Sequence, residues 1–334
     1  MREIGSEFWQ QYPKVSVKPA YDEAYLLSGR TALWFIIKDI CARGIAKKVL
    51  IPSYCCESMI EPFIREGICV EFYQVRSDGI DYPFENDVDI VFLIDFFGWS
   101  SPQNAEIARL EKMAGKIIIY DATHKIDGNP QVQAYADYIF CSYRKWFYCN
   151  YAKVVKRSGG FEYYAELLAN RQYIALRDKA AKQKEQYFAG MIGHKQGFLL
   201  DFATAEEILD KDYLGYSGEP VAFELDEIVA KRKENAAYLI RGLKGIPEIK
   251  LWRDNVENGD TPMFVPILVE PSIRSNLRDT LNKECIYCPI HWPKSCYLGV
   301  NNELYDMELS LICDQRYDLI DMERMLRVIK DYFS

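Results

Sequence analysis

Four short runs in the first half of the chain are apolar almost from end to end: KVLIPS at 48–53, DIVFLIDFFG at 89–98, KIIIYD at 116–121 and DYIFCS at 137–142. A strand with no polar face has to be covered on both faces, which is the situation of a parallel sheet between two layers of helix. Helical stretches lie between these runs. TALWFIIKDICAR at 31–43 closes on Gly44, residues 55–66 close on Gly67, and a third stretch covers about 103–114. ICVEFYQV at 68–75 alternates and is rich in strand formers, and AKVVKR at 152–157 supplies a further strand. The expectation is an α/β fold with a mostly parallel central sheet flanked by helices. In such sheets functional residues gather at the carboxyl ends of strands.

The second half reads differently. Helical patterns cover 160–186 and 222–244. Short strands follow at 248–252, 263–269 and 309–313, and a last helix at 318–333. A chain of 334 residues exceeds the size at which one hydrophobic core keeps growing. A large domain over 1–225 and a smaller C-terminal α+β domain over 226–334 are expected, with the boundary near 222–245.

Apolar residues make up 49% of the chain, enough for a substantial core. The net charge of −8 argues against a nucleic-acid partner, which would call for a basic face. MREIGSEFWQQYPK lacks the apolar run of a signal peptide, and no stretch reaches about 18 uninterrupted apolar residues. A cytoplasmic protein with no membrane partner is expected, its ten cysteines reduced. Cys285, Cys288, His291 and Cys296 have a spacing that resembles a zinc site. The residues between them are apolar, so core or an active-site wall is expected there and no metal.

Two strand ends carry chemistry. ADYIF at 136–140 runs into CSYRKW, which places Lys145 just beyond a strand, and IIIYDATH at 117–124 ends in Asp121 and His124. Pyridoxal phosphate (PLP) requires such a pair. A lysine amine forms a Schiff base with the cofactor aldehyde, and a carboxylate keeps the pyridine nitrogen protonated so that the ring accepts electrons. An acid closing an apolar strand calls for a cationic partner, since a buried unpaired carboxylate is costly. Burial and a nearby cation would lower the lysine pKa for proton transfer. Taken singly, these residues have plainer readings: a surface lysine beside Arg144, a turn or capping aspartate, a satisfied core histidine.

The pieces together resemble PLP-dependent enzymes of the aspartate-aminotransferase fold, and within them the DegT/StrS group of sugar aminotransferases. The resemblance runs from about residue 25 to the C-terminus. It rests on the order of SGRTAL at 28–33, IPSYCCESMIEPFIREG at 51–67, FFGW at 96–99, DATH at 121–124, SYRKW at 142–146 and PIHWP at 289–293. It implies that Lys145 carries the cofactor and shuttles the proton, while Asp121 holds the pyridine nitrogen. His124 would lie beside the ring. Gly29, Arg30 and Thr31 would start a helix whose free amides suit a phosphate dianion, with Ser142 adding a hydroxyl. His291 would stand near the mouth of the site, and Asn150 would face the phosphate of a neighbouring subunit in a homodimer.

The chain departs from the family in three places. The position that usually stacks an aromatic ring on the cofactor aligns with Cys56, so either Tyr54 takes that role or the stacking is lost. Ala152-Lys153 stands where many relatives have a glycine pair, and Arg30 is larger than usual. The resemblance implies transfer of an amino group, from glutamate, to a keto-sugar that is nucleotide-linked. Two alternatives stay open: a PLP lyase or dehydratase, and a protein that keeps the fold without turnover.

Overall fold

The apolar runs become interior strands in a computed structural model that describes residues 2–18, 20, 22–44, 46–163, 169–211, 221–297 and 302–334. The chain is a mixed α/β fold with a large, mostly parallel sheet flanked by helices. It divides into two units: Met1–Ser6, Lys47–Ala136 and Leu225–Ser334 in one, Glu7–Ala46 and Asp137–Glu224 in the other.

In the first unit the strands run in the order Ile117–Asp121, Ile90–Ile94, Lys48–Pro52, Cys69–Arg76 and Gly79–Asp81. The first four pair in parallel and the last antiparallel. Ile90–Ile94 is buried at every residue, as a strand covered on both faces must be. The C-terminal part of this unit carries a three-stranded antiparallel sheet of Lys250–Leu251, Phe264–Leu268 and Glu308–Ile312. The helices Asp226–Leu243, Pro271–Lys283 and Leu319–Phe333 also lie there.

DIVFLIDFFG is shorter as a strand than its composition suggests. Asp95, fully buried, accepts from Ser101 N (3.0 Å), Asn104 Nδ2 (2.9 Å) and Tyr120 OH (2.9 Å), and these bonds end the strand at Ile94. The chain then turns through Phe96–Gly98 with Phe97 at φ 57° and Gly98 at φ 87°. Thr261 N and Met263 N donate to the carbonyls of Gly98 and Phe97, both at 2.8 Å. An added Cβ on Gly98 would run into the Thr261 carbonyl oxygen. Gly98→Ala therefore meets both a left-handed backbone and a backbone clash, and a loss of at least about 3 kcal/mol is expected. Denaturant unfolding measures it, and an unchanged midpoint would mean that this turn relaxes freely.

In the second unit Glu23–Leu26, Ala152–Lys156 and Tyr138–Ser142 pair antiparallel, with Ala152–Lys156 in the middle. The helix Gly29–Cys41 starts where Ser28 Oγ accepts from Thr31 N at 3.2 Å. Its one buried carboxylate, Asp39, is met by Tyr138 OH (2.7 Å) and Lys156 Nζ (2.8 Å), so a polar residue stands safely in an apolar helix. Helical structure expected over 160–186 begins at Arg171 and runs to Phe188, and residues 164–168 lie outside the described ones. A second helix, Gln196–Lys211, packs against it.

Candidate active site

In the first unit the site residues stand at and beyond strand ends. Asp121 ends its strand opposite Ile94 and is buried, 3% exposed. Thr123 N donates to its Oδ1 at 2.8 Å. Burial pushes the carboxyl up to about 7, against the pull of the Thr123 hydroxyl and amide. Among the described residues no cation pairs with it.

His124 follows in a cluster of rings. Its Nδ1 accepts from Phe97 N at 3.1 Å, its Nε2 lies 2.9 Å from His291 Nε2, and its ring stacks on Trp292 with centroids 5.2 Å apart. An Nδ1 that accepts carries no proton, so in the neutral ring Nε2 is the donor and His291 Nε2 the acceptor. The left-handed turn at Phe97 thereby sets the tautomer of both histidines.

Glu308 holds His291 from behind. It is fully buried and accepts from His291 N at 2.9 Å, from Ser310 Oγ and from Tyr54 OH at 3.3 Å. Burial pushes its carboxyl up to about 7 in spite of these donors. Tyr54 is fully buried, with Trp292 and Tyr305 against its ring at 4.8 and 5.0 Å. Cys56 stands half-buried at the N-cap of the helix Glu57–Arg65, its Sγ 2.9 Å from Ser58 Oγ. Of the cysteines spaced like zinc ligands, Cys288 is buried and burial pushes its thiol up to about 12, whereas Cys296 is exposed. Among the described residues no three of His, Cys, Asp and Glu gather for a metal.

In the second unit Gly29, Arg30 and Thr31 form the first turn of their helix. A Cβ added to Gly29 would lie 3.4 Å from Ser142 Cβ, so this helix start and the buried end of strand Tyr138–Ser142 are in contact. Four groups converge there: the first-turn amides and the hydroxyls of Ser28, Thr31 and Ser142. Ser28 Oγ and Thr31 Oγ1 lie 3.0 Å apart. Arg30 forms an ion pair with Asp210.

Lys145 ends the short turn Tyr143–Lys145 and is exposed, where burial was expected. The strand stops at Ser142, and three residues of tight turn carry the side chain out beyond the sheet edge. Asn150 Oδ1 accepts from Arg177 Nε of its own chain at 2.9 Å. Phe97, Trp292 and Glu308 in the first unit and Arg177 in the second were not anticipated beside these residues. Phe97 and Trp292 had a signal, in FFGW and PIHWP, but the others had none.

No family model matches the chain, and no curated protein matches it. Solved structures do match in fold. One is the Helicobacter pylori PseC, an aminotransferase involved in the biosynthesis of pseudoaminic acid (TM-score 0.65, 15% identity, 93% of this chain and 86% of that one). Another is DesI, solved in the presence of its TDP-sugar product (TM-score 0.63, 13% identity, 93% and 80%). A third is a Streptococcus pneumoniae protein in its PLP form (TM-score 0.64, 10% identity, 96% and 92%). At these identities the likeness is one of fold, and it extends over nearly the whole chain.

Proposed function

We propose that the chain is a PLP-dependent aminotransferase that moves an amino group, from glutamate, to a keto-sugar carried on a nucleotide. The observation that carries this reading is Asp121: a carboxylate at the carboxyl end of a parallel strand, buried, with no cation paired to it among the described residues. A protonated pyridine nitrogen is the cation such a group fits. The donor set at the start of the helix Gly29–Cys41 fits a phosphate dianion, with first-turn amides, three hydroxyls and the helix dipole acting together. The nucleotide-sugar class draws its support from the structures of similar fold, one holding a TDP-sugar product and one working in pseudoaminic acid biosynthesis. A homodimer and a cytoplasmic setting complete the reading.

When bound, PLP supplies an electron sink for the carbon that loses its proton. The residues do the rest. Asp121 keeps a positive charge at the ring nitrogen. Ser28, Thr31, Ser142 and the helix start anchor the phosphate. Lys145, exposed and on a short turn, moves the proton between the two reacting carbons. His124, its orientation fixed by Phe97 N and His291, lies beside the ring. Tyr54, sealed behind Trp292, shapes the wall, and Cys56 stands nearer the surface at a helix start.

An absorbance spectrum with added PLP, before and after borohydride, followed by peptide mass mapping, tests the reading. A visible band that reduction removes, with the added mass on Lys145, is expected. Neither band nor added mass would overturn it in favour of a protein that keeps the fold without turnover.

A further inference from the structure

We propose that Glu206 is a positioning residue for Lys145, pinning the turn that bears it and setting the charge balance around its amine. Glu206 stands on the helix Gln196–Lys211. Its two carboxylate oxygens take a fork from Arg144, at 2.7 Å from Nη1 and 2.9 Å from Nη2. Arg144 is the residue directly before Lys145, and its Nη1 also donates to Tyr173 OH at 2.8 Å. Arg177, on the helix Arg171–Phe188, places Nη1 3.5 Å from Glu206 and gives its Nε to Asn150. The segment 144–150 is therefore held at both ends by one cluster with Glu206 at the hub.

The arginines are fixed as well as charged. Arg177 is 2% exposed, its guanidinium over the rings of Phe202 (5.4 Å), Tyr173 (5.8 Å) and Tyr148 (5.9 Å). A bidentate fork sets direction as well as distance, which a single contact to a lysine would not. Between the two pinned ends, Trp146 and Phe147 are buried, so the backbone around Lys145 has little freedom. Burial would raise the Glu206 carboxyl, but Arg144, then Arg177 and Lys145, override it and pull it down to about 2. The carboxylate is thus ionised at any working pH, and it stands as one negative charge among three cations. Remove it and Lys145 loses a negative charge that acts on it through space while Arg144 and Arg177 keep theirs, which favours the neutral amine.

The role of Lys145 rests on the function proposed above, but its coupling to Glu206 does not, and the test needs no cofactor. The cofactor-free protein is labelled with acetic anhydride across a pH series, and peptide mass spectrometry reads the labelling of Lys145. In Glu206→Gln the labelling midpoint is expected to fall, so that labelling at a fixed pH below it rises about twofold to fivefold, the scale of an exposed charge pair. Glu206→Asp keeps the charge and should keep the midpoint. Arg144→Gln takes away one of the cations that face Glu206 and should raise the midpoint. A purely structural role would move Glu206→Gln and Glu206→Asp alike, and that result, or an unmoved midpoint in Glu206→Gln, overturns the proposal. Should Glu206→Gln fail to fold, Arg144→Gln decides alone, and a midpoint that does not rise is fatal. A missing PLP band in the parent protein would sink the proposed function and leave this result standing.

Discussion

Lys145→Ala is expected to bind PLP without the added mass after borohydride, and to lose at least about 10⁴-fold in turnover. In the proposed reading Lys145 is both covalent anchor and proton carrier, so its removal combines two effects, each worth orders of magnitude. Stability should barely change. Lys145 is exposed and makes no hydrogen bond or ion pair among the described residues, so truncation opens no cavity and strands no partner. Surface substitutions of this kind stay within about 0.5 kcal/mol. The pairing of a lost adduct with an unmoved melting temperature separates a chemical role from a structural one. Normal turnover would remove Lys145 from the mechanism.

Asp121→Asn should pull two readouts in opposite directions. Proton abstraction falls by several orders of magnitude, because a neutral amide does not hold the ring nitrogen protonated. The cofactor-free protein, in contrast, should become more stable at alkaline pH. The Asp121 carboxyl is raised from its ordinary 3.8 to about 7, so folding favours its protonated form. That contribution is complete below about pH 4 and is lost as pH rises through about 7. Asparagine needs no proton to be buried and still accepts from Thr123 N. The variant should match the parent near pH 4 and exceed it above pH 7 by about 2–4 kcal/mol, the span of some three pH units. Glu308 titrates in the same window, but it is common to both proteins, so the difference isolates Asp121. Equal stability at pH 8 would mean that the carboxylate already has a cation beside it.

Much of the fold was legible because it follows from local chemistry. The strand runs at 48–53, 116–121 and 137–142 are apolar on both faces and appear within a residue or so of their expected ends. The helix at 31–43 starts two residues early, at Gly29, because Ser28 caps it. Two long helices escaped, besides the single turns Pro130–Gln133 and Leu304–Met307. Pro271–Lys283 buries only Leu277 and Leu281, too few apolar positions to make a period visible. Gln196–Lys211 buries Phe198, Phe202, Ala205 and Leu209 at helical spacing, a period that was there to be read. The site divides along the same line. Lys145, Asp121, His124 and Ser142 could be singled out because they sit at or just beyond strand ends. Glu308 could not, since its partners Tyr54 and His291 lie 254 and 17 residues away. Nor could Glu206, whose meaning depends on a fork from Arg144 across 62 residues.

The meeting of His124 and His291 has a consequence for where protons can travel. Their facing nitrogens are 2.9 Å apart and share one hydrogen, while the far nitrogen of His124 is committed to the Phe97 amide. A further proton would set two N–H groups against each other and drive the rings apart. The pair thus acts as a strut that points a dipole. In the proposed reaction the histidine pair would orient, and the acid–base traffic would fall to Lys145.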